Sequence, residues 1–179
     1  MVKYLTVDKH CNPLNRNSRG NTPLHLAARN GHFKVVEFFI SRLNCDPNTP
    51  GWRGVTPLHY AAQEGHLDTV KYLIEEKNCN PSCLDKRKST PLHVACLKGH
   101  LNIVKYLTKE QHCNPLCYDK LHGIPLHWAA HCGQLQVVKY FIEGLKCPQN
   151  IRGARNTTPL EEAHRQGHIN VVQYLISVI

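Results

Sequence analysis

Thr22-Pro23-Leu24-His25 is the first copy of a motif that recurs every 34 residues along the chain. A glycine follows nine residues after each start, and in four copies the next residue is histidine, whereas the fourth copy has Gly133-Gln134. Two motifs that keep the same register over five copies establish an internal repeat, which decides the fold. The later copies begin at Thr56, Thr90, Ile124 and Thr158.

Each copy predicts two short helices. Threonine is a favourable N-cap, proline fits the first helical position, and the glycine ends the first helix. An amphipathic second helix follows, as in residues 33–40. Helices of this length are marginal alone in water, so neighbouring copies must stack and share a core. The sequence therefore predicts an all-α repeat solenoid of helix-turn-helix units joined by hairpin-like loops.

The pattern Thr-Pro-Leu-His-x-Ala, followed by Gly-His and a valine-rich second helix, resembles the ankyrin repeat over essentially the whole chain. The usual ankyrin period is about 33 residues, and the extra residue falls just before Cys79, so we expect an altered loop after the second helix and an unchanged stack. Neither end has an obvious polar outer face, so we expect a fragment of a longer array. The resemblance implies one domain, 1–179, with a C-terminal half repeat at 1–13 and repeats at 14–47, 48–81, 82–115, 116–149 and 150–179.

The composition bounds the partners and the compartment. Lys and Arg outnumber Asp and Glu by 22 to 13, and the net charge of +9 favours acidic partners. No apolar run approaches the roughly 18 residues of a membrane span, so we expect no membrane insertion. Five of the nine cysteines recur in successive layers, too far apart for disulfides, which predicts buried, reduced thiols and a cytoplasmic or nuclear location. These five are Cys11, Cys45, Cys79, Cys113 and Cys147.

Some residues invite a catalytic or metal-binding interpretation. Cys79-x3-Cys83 and Cys113-x3-Cys117 have plausible zinc spacing, but the recurring cysteine also occurs in copies without a second one, which favours core packing. The motif histidine recurs in four equivalent copies, unlike an active site, and in the ankyrin family it bonds to the threonine-bearing turn. The histidine after each glycine is expected to organise its loop. Glu161-Glu162 in the last copy is interpreted as sequence drift. We predict no catalytic residues, no metal, no cofactor and no enzymatic activity.

In the ankyrin family, partners usually bind the concave face, formed by the hairpin tips and the exposed sides of the first helices. We call this surface the inner face. Its residues vary between copies and are mainly basic, with Glu64 as the one acidic residue that we assign to it. For Trp128 two hypotheses stay open, partner contact and packing between first helices. The predicted partner-binding residues are Arg19, Arg29, Trp52, Arg53, Tyr60, Glu64, Lys86, Arg87, Lys98, Leu121, Trp128, His131, Arg155 and Arg165.

Three functions follow from these features. The leading hypothesis is a monomeric protein-interaction module that binds an acidic, extended protein or peptide along the inner face. The second is nucleic-acid binding by the basic surface and its aromatic residues, although no dedicated motif is present. The third is an elastic spacer within a long repeat array.

Overall fold

The computed structural model describes residues 12–178, which form ten α-helices and contain no β-strand. The helices form five helix-turn-helix pairs, one pair in each predicted repeat. The predicted all-helical stack is therefore confirmed. Short 3₁₀ turns lie at Trp52–Gly54 and Ala154–Asn156. The α-helices are α1 (Pro23–Arg29), α2 (Phe33–Ser41), α3 (Pro57–Glu64), α4 (Leu67–Lys71), α5 (Pro91–Lys98), α6 (Leu101–Lys105), α7 (Pro125–His131), α8 (Leu135–Lys139), α9 (Pro159–Arg165) and α10 (Ile169–Ser177).

The core is a column of equivalent apolar residues from successive repeats. Each first helix packs against the first helix of the next repeat and against its own second helix. The motif leucine is at most 1% exposed in the first four repeats, and one valine of the second helix is fully buried in each. These residues are Leu24, Leu58, Leu92 and Leu126, with Val36, Val70, Val104 and Val138. Because each repeat buries its apolar face only against its neighbours, the stack is the unit of stability.

In the second, third and fourth repeats the motif histidine links its own turn to the next repeat. His59 Nδ1 accepts a hydrogen bond from the Thr56 backbone N–H at 3.3 Å and lies 2.9 Å from the Thr56 hydroxyl. Because Nδ1 accepts, the proton is on Nε2, which donates to the Ser89 carbonyl at 3.0 Å. His93 and His127 make equivalent bonds to the following hairpin. The predicted bond to the threonine-bearing turn is therefore confirmed. The other ring nitrogen, Nε2, adds a hydrogen bond to the next repeat.

The histidine after each glycine also connects two repeats. His100 Nε2 donates to the Gln63 carbonyl at 2.9 Å, and its ring lies against Gly65, where a Cβ atom would be only 2.7 Å from it. In the fourth repeat Gln134 replaces the histidine and donates to the Leu97 carbonyl at 3.2 Å. The loop-organising role is confirmed, and glycine is needed both for its positive φ and for this close approach. Equivalent contacts join Gly31 to His66 and Gly133 to His168.

The second helix ends in a widened turn in most of the repeats. In three repeats the last turn is π-helical, at Tyr72–Glu76, Tyr106–Glu110 and Tyr140–Gly144. In the first of these, the Lys77 N–H bonds to the carbonyl five residues earlier, at 3.2 Å, and Asn78 then ends the helix with φ 51°. The second helix of the first repeat ends at Ser41 without a π-helical turn although the same 34-residue spacing applies, so the expected alteration of the loop stays a prediction. The stack is unchanged, as predicted.

The fifth repeat differs from the others at two positions of its first helix. Glu161 takes the place of the motif histidine and accepts a hydrogen bond from the Thr158 N–H at 2.7 Å, while its own N–H donates to the Thr158 hydroxyl at 3.2 Å. This reciprocal pair is a capping box, so sequence drift was the wrong interpretation of Glu161. His164 is exposed where the equivalent Ala130 is buried, which gives this repeat a partly polar outer face.

The recurring cysteines have the environment that the sequence predicts. Cys45, Cys79, Cys113 and Cys147 are buried, and every cysteine in the described range is a free thiol. Cys11 and most of the predicted half repeat at 1–13 lie outside the described residues, and the repeat boundaries stay a prediction. Between residues 12 and 178, none of the helices combines the length and the apolar character that crossing a bilayer requires.

Candidate functional site

The predicted partner-binding residues lie on first helices and hairpin tips, and most are exposed. Tyr60, Glu64 and Trp128 are partly buried, and the other predicted residues are exposed to solvent. Leu121 and Trp52 are exposed to 70% and 49% and are among the large apolar side chains on the surface. The inner face therefore offers both charged and apolar groups to a partner.

Aspartate side chains shape two of the hairpins: Asp119 is buried and Asp85 is partly buried. Asp119 Oδ1 accepts hydrogen bonds from the backbone N–H groups of Leu121 and Gly123, both at 2.8 Å. Asp85 makes the equivalent bond to the Arg87 N–H at 2.7 Å. Such local side-chain bonds are the reason that Asp favours turns. They fix the positions of the Arg87 and Leu121 side chains at the two tips.

Backbone hydrogen bonds hold neighbouring hairpins in line. The Lys86 N–H donates to the Arg53 carbonyl at 2.8 Å, and the Lys120 N–H donates to the Arg87 carbonyl at 2.7 Å. One equivalent position at the hairpin tips varies less than we predicted for the inner face, because it is arginine in four hairpins and leucine in one. These tip residues are Arg19, Arg53, Arg87, Leu121 and Arg155.

The predicted residues of the first two repeats mainly contact one another. Arg29 forms an ion pair with Glu64 at 3.7 Å, and its guanidinium lies 5.9 Å from the centre of the Tyr60 ring. Trp52 lies at a hairpin tip, as predicted, with the Arg53 guanidinium 5.5 Å from its ring centre. These contacts use part of the binding capacity of the side chains within the protein itself.

A groove of about 380 Å³ lies between the last three repeats. Its walls come from α5, α7, α9 and the hairpin tips between them. It brings together five of the predicted residues, Arg87, Leu121, Trp128, His131 and Arg155. The remaining lining residues are Leu97, Asp119, Gly123, His127 and Glu162. The other nine predicted residues lie outside this groove.

Trp128 packs on the core, as one of the two hypotheses predicted, and it also lines the groove, whereas contact with a partner stays a prediction. Its indole N–H donates to Asp119 Oδ2 at 2.9 Å, and its ring meets His93 edge-on with 5.4 Å between ring centres. An indole N–H that is partly buried needs such an acceptor. One carboxylate therefore fixes both the Leu121 hairpin tip and the Trp128 ring.

Glu162 is an acidic residue of the groove that the sequence analysis did not assign to the inner face. Glu64 is therefore not the one acidic residue of that face. It is 9% exposed and accepts hydrogen bonds from the Thr157 hydroxyl at 2.6 Å and from Arg165 at 3.2 Å. Its carboxylate also lies 3.3 Å from His131 Nδ1. Burial by itself would raise the pKa of Glu162, but these partners hold that pKa below its usual value.

Two of the predicted binding residues are thus partners of Glu162 within the protein. Arg165 and His131 both contact its carboxylate, so neither is a free cation on the inner face. The signal was available in the sequence, because Glu162 stands 34 residues after Trp128 and three residues before Arg165. That spacing places glutamate and arginine on one side of a helix.

The cysteine and histidine residues are arranged for packing. Across residues 12–178, no group of three or more His, Cys, Asp or Glu side chains is positioned to bind a metal ion. Cys83 Sγ lies 3.7 Å from His59 Nδ1, but burial raises the pKa of this thiol to about 11. At neutral pH the thiol stays protonated, so this pair is not an activated nucleophile.

The comparisons with known proteins agree with this architecture. The family described as ankyrin repeats (3 copies) matches residues 41–119, 64–150 and 111–178, and the single ankyrin repeat matches residues 19–52. A comparison with curated proteins finds no match. Ankyrin repeats are generally protein-interaction modules and are typically not enzymes. With matches that span residues 19–178 and five stacked helix pairs, this chain belongs to the ankyrin-repeat family.

Proposed function

We propose that this ankyrin-repeat protein binds an acidic, extended segment of a partner protein along its inner face. The observation that carries the proposal is the uncompensated positive charge of that face. Arg29 and Arg165 are paired with Glu64 and Glu162. In the described range, no carboxylate lies within ion-pair distance of the remaining inner-face cations, Arg19, Arg53, Lys86, Arg87, Lys98, Lys120 and Arg155.

The chemistry of the partner follows from this charge. Exposed cations without a partner repel one another, and an acidic segment relieves that repulsion while it gains attraction from each cation. Each exposed contact is weak and screened by salt, so affinity must be the sum of several contacts. Binding should therefore weaken steadily as the salt concentration rises.

The extended form of the partner follows from the order of the hairpins. The bonds from Lys86 to Arg53 and from Lys120 to Arg87 place one basic tip after another along the stack. A compact partner would reach few of these tips, whereas an extended chain contacts several in succession. An extended acidic segment is thus the partner that uses most of the unpaired charge.

We propose that the protein acts in this way as a monomer, in the cytoplasm or nucleus, and without catalytic activity. The free thiols support a reducing compartment. Desolvation on burial raises the pKa of Cys79 to about 12 and of Cys147 to about 11, so these thiols react poorly and suit a packing role.

A charge-reversal experiment tests the proposal. The variant Arg87→Glu/Arg155→Glu removes two inner-face cations. The control Lys105→Glu/Lys109→Glu makes the same change of net charge on exposed residues of α6 and the π turn that follows it, in the third repeat. Fluorescence anisotropy of a labelled acidic peptide should show weaker binding for the first variant and little change for the control. Equal losses in both variants, or no binding by the unaltered protein, would refute the proposal.

A labelled single-stranded oligonucleotide with the same charge as the acidic peptide distinguishes nucleic-acid binding from the proposed protein binding. We expect the acidic peptide to bind more tightly than the oligonucleotide at physiological ionic strength. Tighter oligonucleotide binding with a steep dependence on salt would instead support nucleic-acid recognition. Absence of binding to either probe would leave the spacer hypothesis as the better account.

A further inference from the structure

Leu121 interrupts the series of arginine residues at the hairpin tips. Arg87 precedes it by one repeat and Arg155 follows it by one repeat, so an apolar side chain stands between two basic ones. Leu121 is exposed to 70%, although a leucine at a tip contributes nothing to charge recognition. A single exposed leucine is ordinary on a protein surface, so its significance here depends on the apolar groove beside it.

The groove beside Leu121 continues this apolar surface inward. Leu97 from α5 and Trp128 from α7 line it together with Leu121, and Arg87 and Arg155 lie at its margins. A volume of about 380 Å³ leaves room for one large side chain within a site that is open to solvent. Tryptophan and arginine are among the residue types that most often supply the binding energy at protein interfaces.

The groove is held in shape before any partner arrives. Asp119 bonds both to the Leu121 backbone and to the Trp128 indole. Gly123 permits this arrangement, because a Cβ atom there would lie 3.3 Å from Trp128 Nε1 and 3.2 Å from Asp119 Oδ2. A site with fixed walls loses little conformational entropy when it binds.

The two acidic residues of the groove differ in their partners: Glu162 forms an ion pair with Arg165, whereas Asp119 accepts only from neutral donors and is 7% exposed. Asp119 accepts from two backbone N–H groups and the indole, and Glu162 accepts from Thr157 and Arg165. Of the groove residues without an ion pair, Arg87 and Arg155 are exposed to solvent, and Asp119 is buried. Charge complementarity favours carboxylates on both sides of whatever fills the groove.

We infer that this groove is a socket for one bulky apolar side chain of the partner, such as phenylalanine or leucine, flanked by carboxylates that Arg87 and Arg155 bind. The inference rests on the proposed function and specifies the partner more closely, as an extended acidic segment with a single apolar anchor. The anchor fixes the register of the segment, which charge alone leaves free along the row of tips.

Two labelled peptides test the socket, an acidic peptide with a central phenylalanine and the same peptide with a central serine. For the unaltered protein we expect the phenylalanine peptide to bind about tenfold more tightly or better, from the burial of one aromatic side chain. The decisive variant is Leu121→Arg, which completes the arginine row and removes the apolar wall. It should lose the preference for phenylalanine while it binds the serine peptide as well as before or better.

The matched control is Leu84→Arg, which adds the same charge in place of a leucine that is 57% exposed and lies outside the groove. It should keep the preference. Equal binding of both peptides by the unaltered protein, or a preference that survives in Leu121→Arg, would overturn the socket. If both peptides bind equally and Arg87→Glu/Arg155→Glu weakens both, the socket is wrong and the proposed function stands. If neither peptide binds, both are wrong.

Discussion

Replacing Gly65 with alanine tests how successive repeats are joined. Gly65 has φ 88°, and an added Cβ atom would lie 2.7 Å from the His100 ring of the next repeat. That ring must move, and its bond of 2.9 Å to the Gln63 carbonyl is then broken. Gly167 is the matched control, because its φ is 75° and no atom lies within 4 Å of an added Cβ.

The two substitutions share the backbone cost but differ in the inter-repeat cost. An alanine with left-handed backbone angles lowers the free energy of unfolding by about 1–2 kcal/mol in both variants. Gly65→Ala loses in addition the histidine hydrogen bond, about 1 kcal/mol, together with the packing of the ring. We therefore expect Gly65→Ala to lower the free energy of unfolding by about 2–4 kcal/mol and Gly167→Ala by about 1–2 kcal/mol. For a chain of this size each kcal/mol corresponds to a fall in Tm of about 2–4 °C.

Urea unfolding followed by circular dichroism measures both variants, and a double-mutant cycle isolates the contact. In the background of His100→Ala the additional cost of Gly65→Ala should disappear, because no ring is left to be displaced. Equal destabilisation by Gly65→Ala and Gly167→Ala, or strictly additive effects in the cycle, would refute the glycine–histidine contact as a link between repeats.

Three further predictions concern the turns and caps. Burial lowers the pKa of His25, His59, His93 and His127 below 6.5 in the folded chain. The unfolded chain therefore binds protons more readily than the folded chain. The histidines' contribution to the free energy of unfolding is fully present above about pH 6.5 and is lost as the pH decreases through the folded pKa values. A urea midpoint that does not fall on acidification would contradict this. Asp119→Ala should destabilise the protein by about 1–3 kcal/mol more than Asp85→Ala, because only Asp119 also accepts the Trp128 indole N–H, and urea midpoints of the two variants give the comparison. Glu161→Ala should lower the urea midpoint more than Glu161→Gln, which keeps an acceptor for the Thr158 N–H; identical midpoints would exclude the capping box.

The sequence was sufficient for the fold, because each motif residue has a local role that does not depend on distant parts of the chain. Thr56 caps α3, Pro57 starts it and Gly65 ends it, and the proline recurs at the start of the first helix in every copy, although Ile124 replaces the threonine in the fourth. The π-helical turn at Tyr72–Glu76 was not predicted. An extra residue before Cys79 fits either a longer loop or a wider helical turn, and the choice depends on packing against the neighbouring repeat.

The candidate site was predicted only as a surface. Placing Trp128 and Leu121 on the inner face required the repeat register and nothing more. Joining them in one groove required the position of the Asp119 carboxylate, which serves the turn and the indole together. The neutralisation of Arg165 by Glu162 likewise depends on side-chain positions, and counting charges along the sequence overstated the basic character of this face.

Mapping the bound peptide by NMR tests the central claim most directly. Isotopically labelled protein is titrated with the phenylalanine-centred acidic peptide, and the backbone amides and indole N–H groups are followed. The account predicts shifts concentrated at the hairpin tips of Arg87, Leu121 and Arg155 and at the Trp128 indole. Shifts confined to the second helices, around Lys105 and Lys139, would contradict recognition by the inner face.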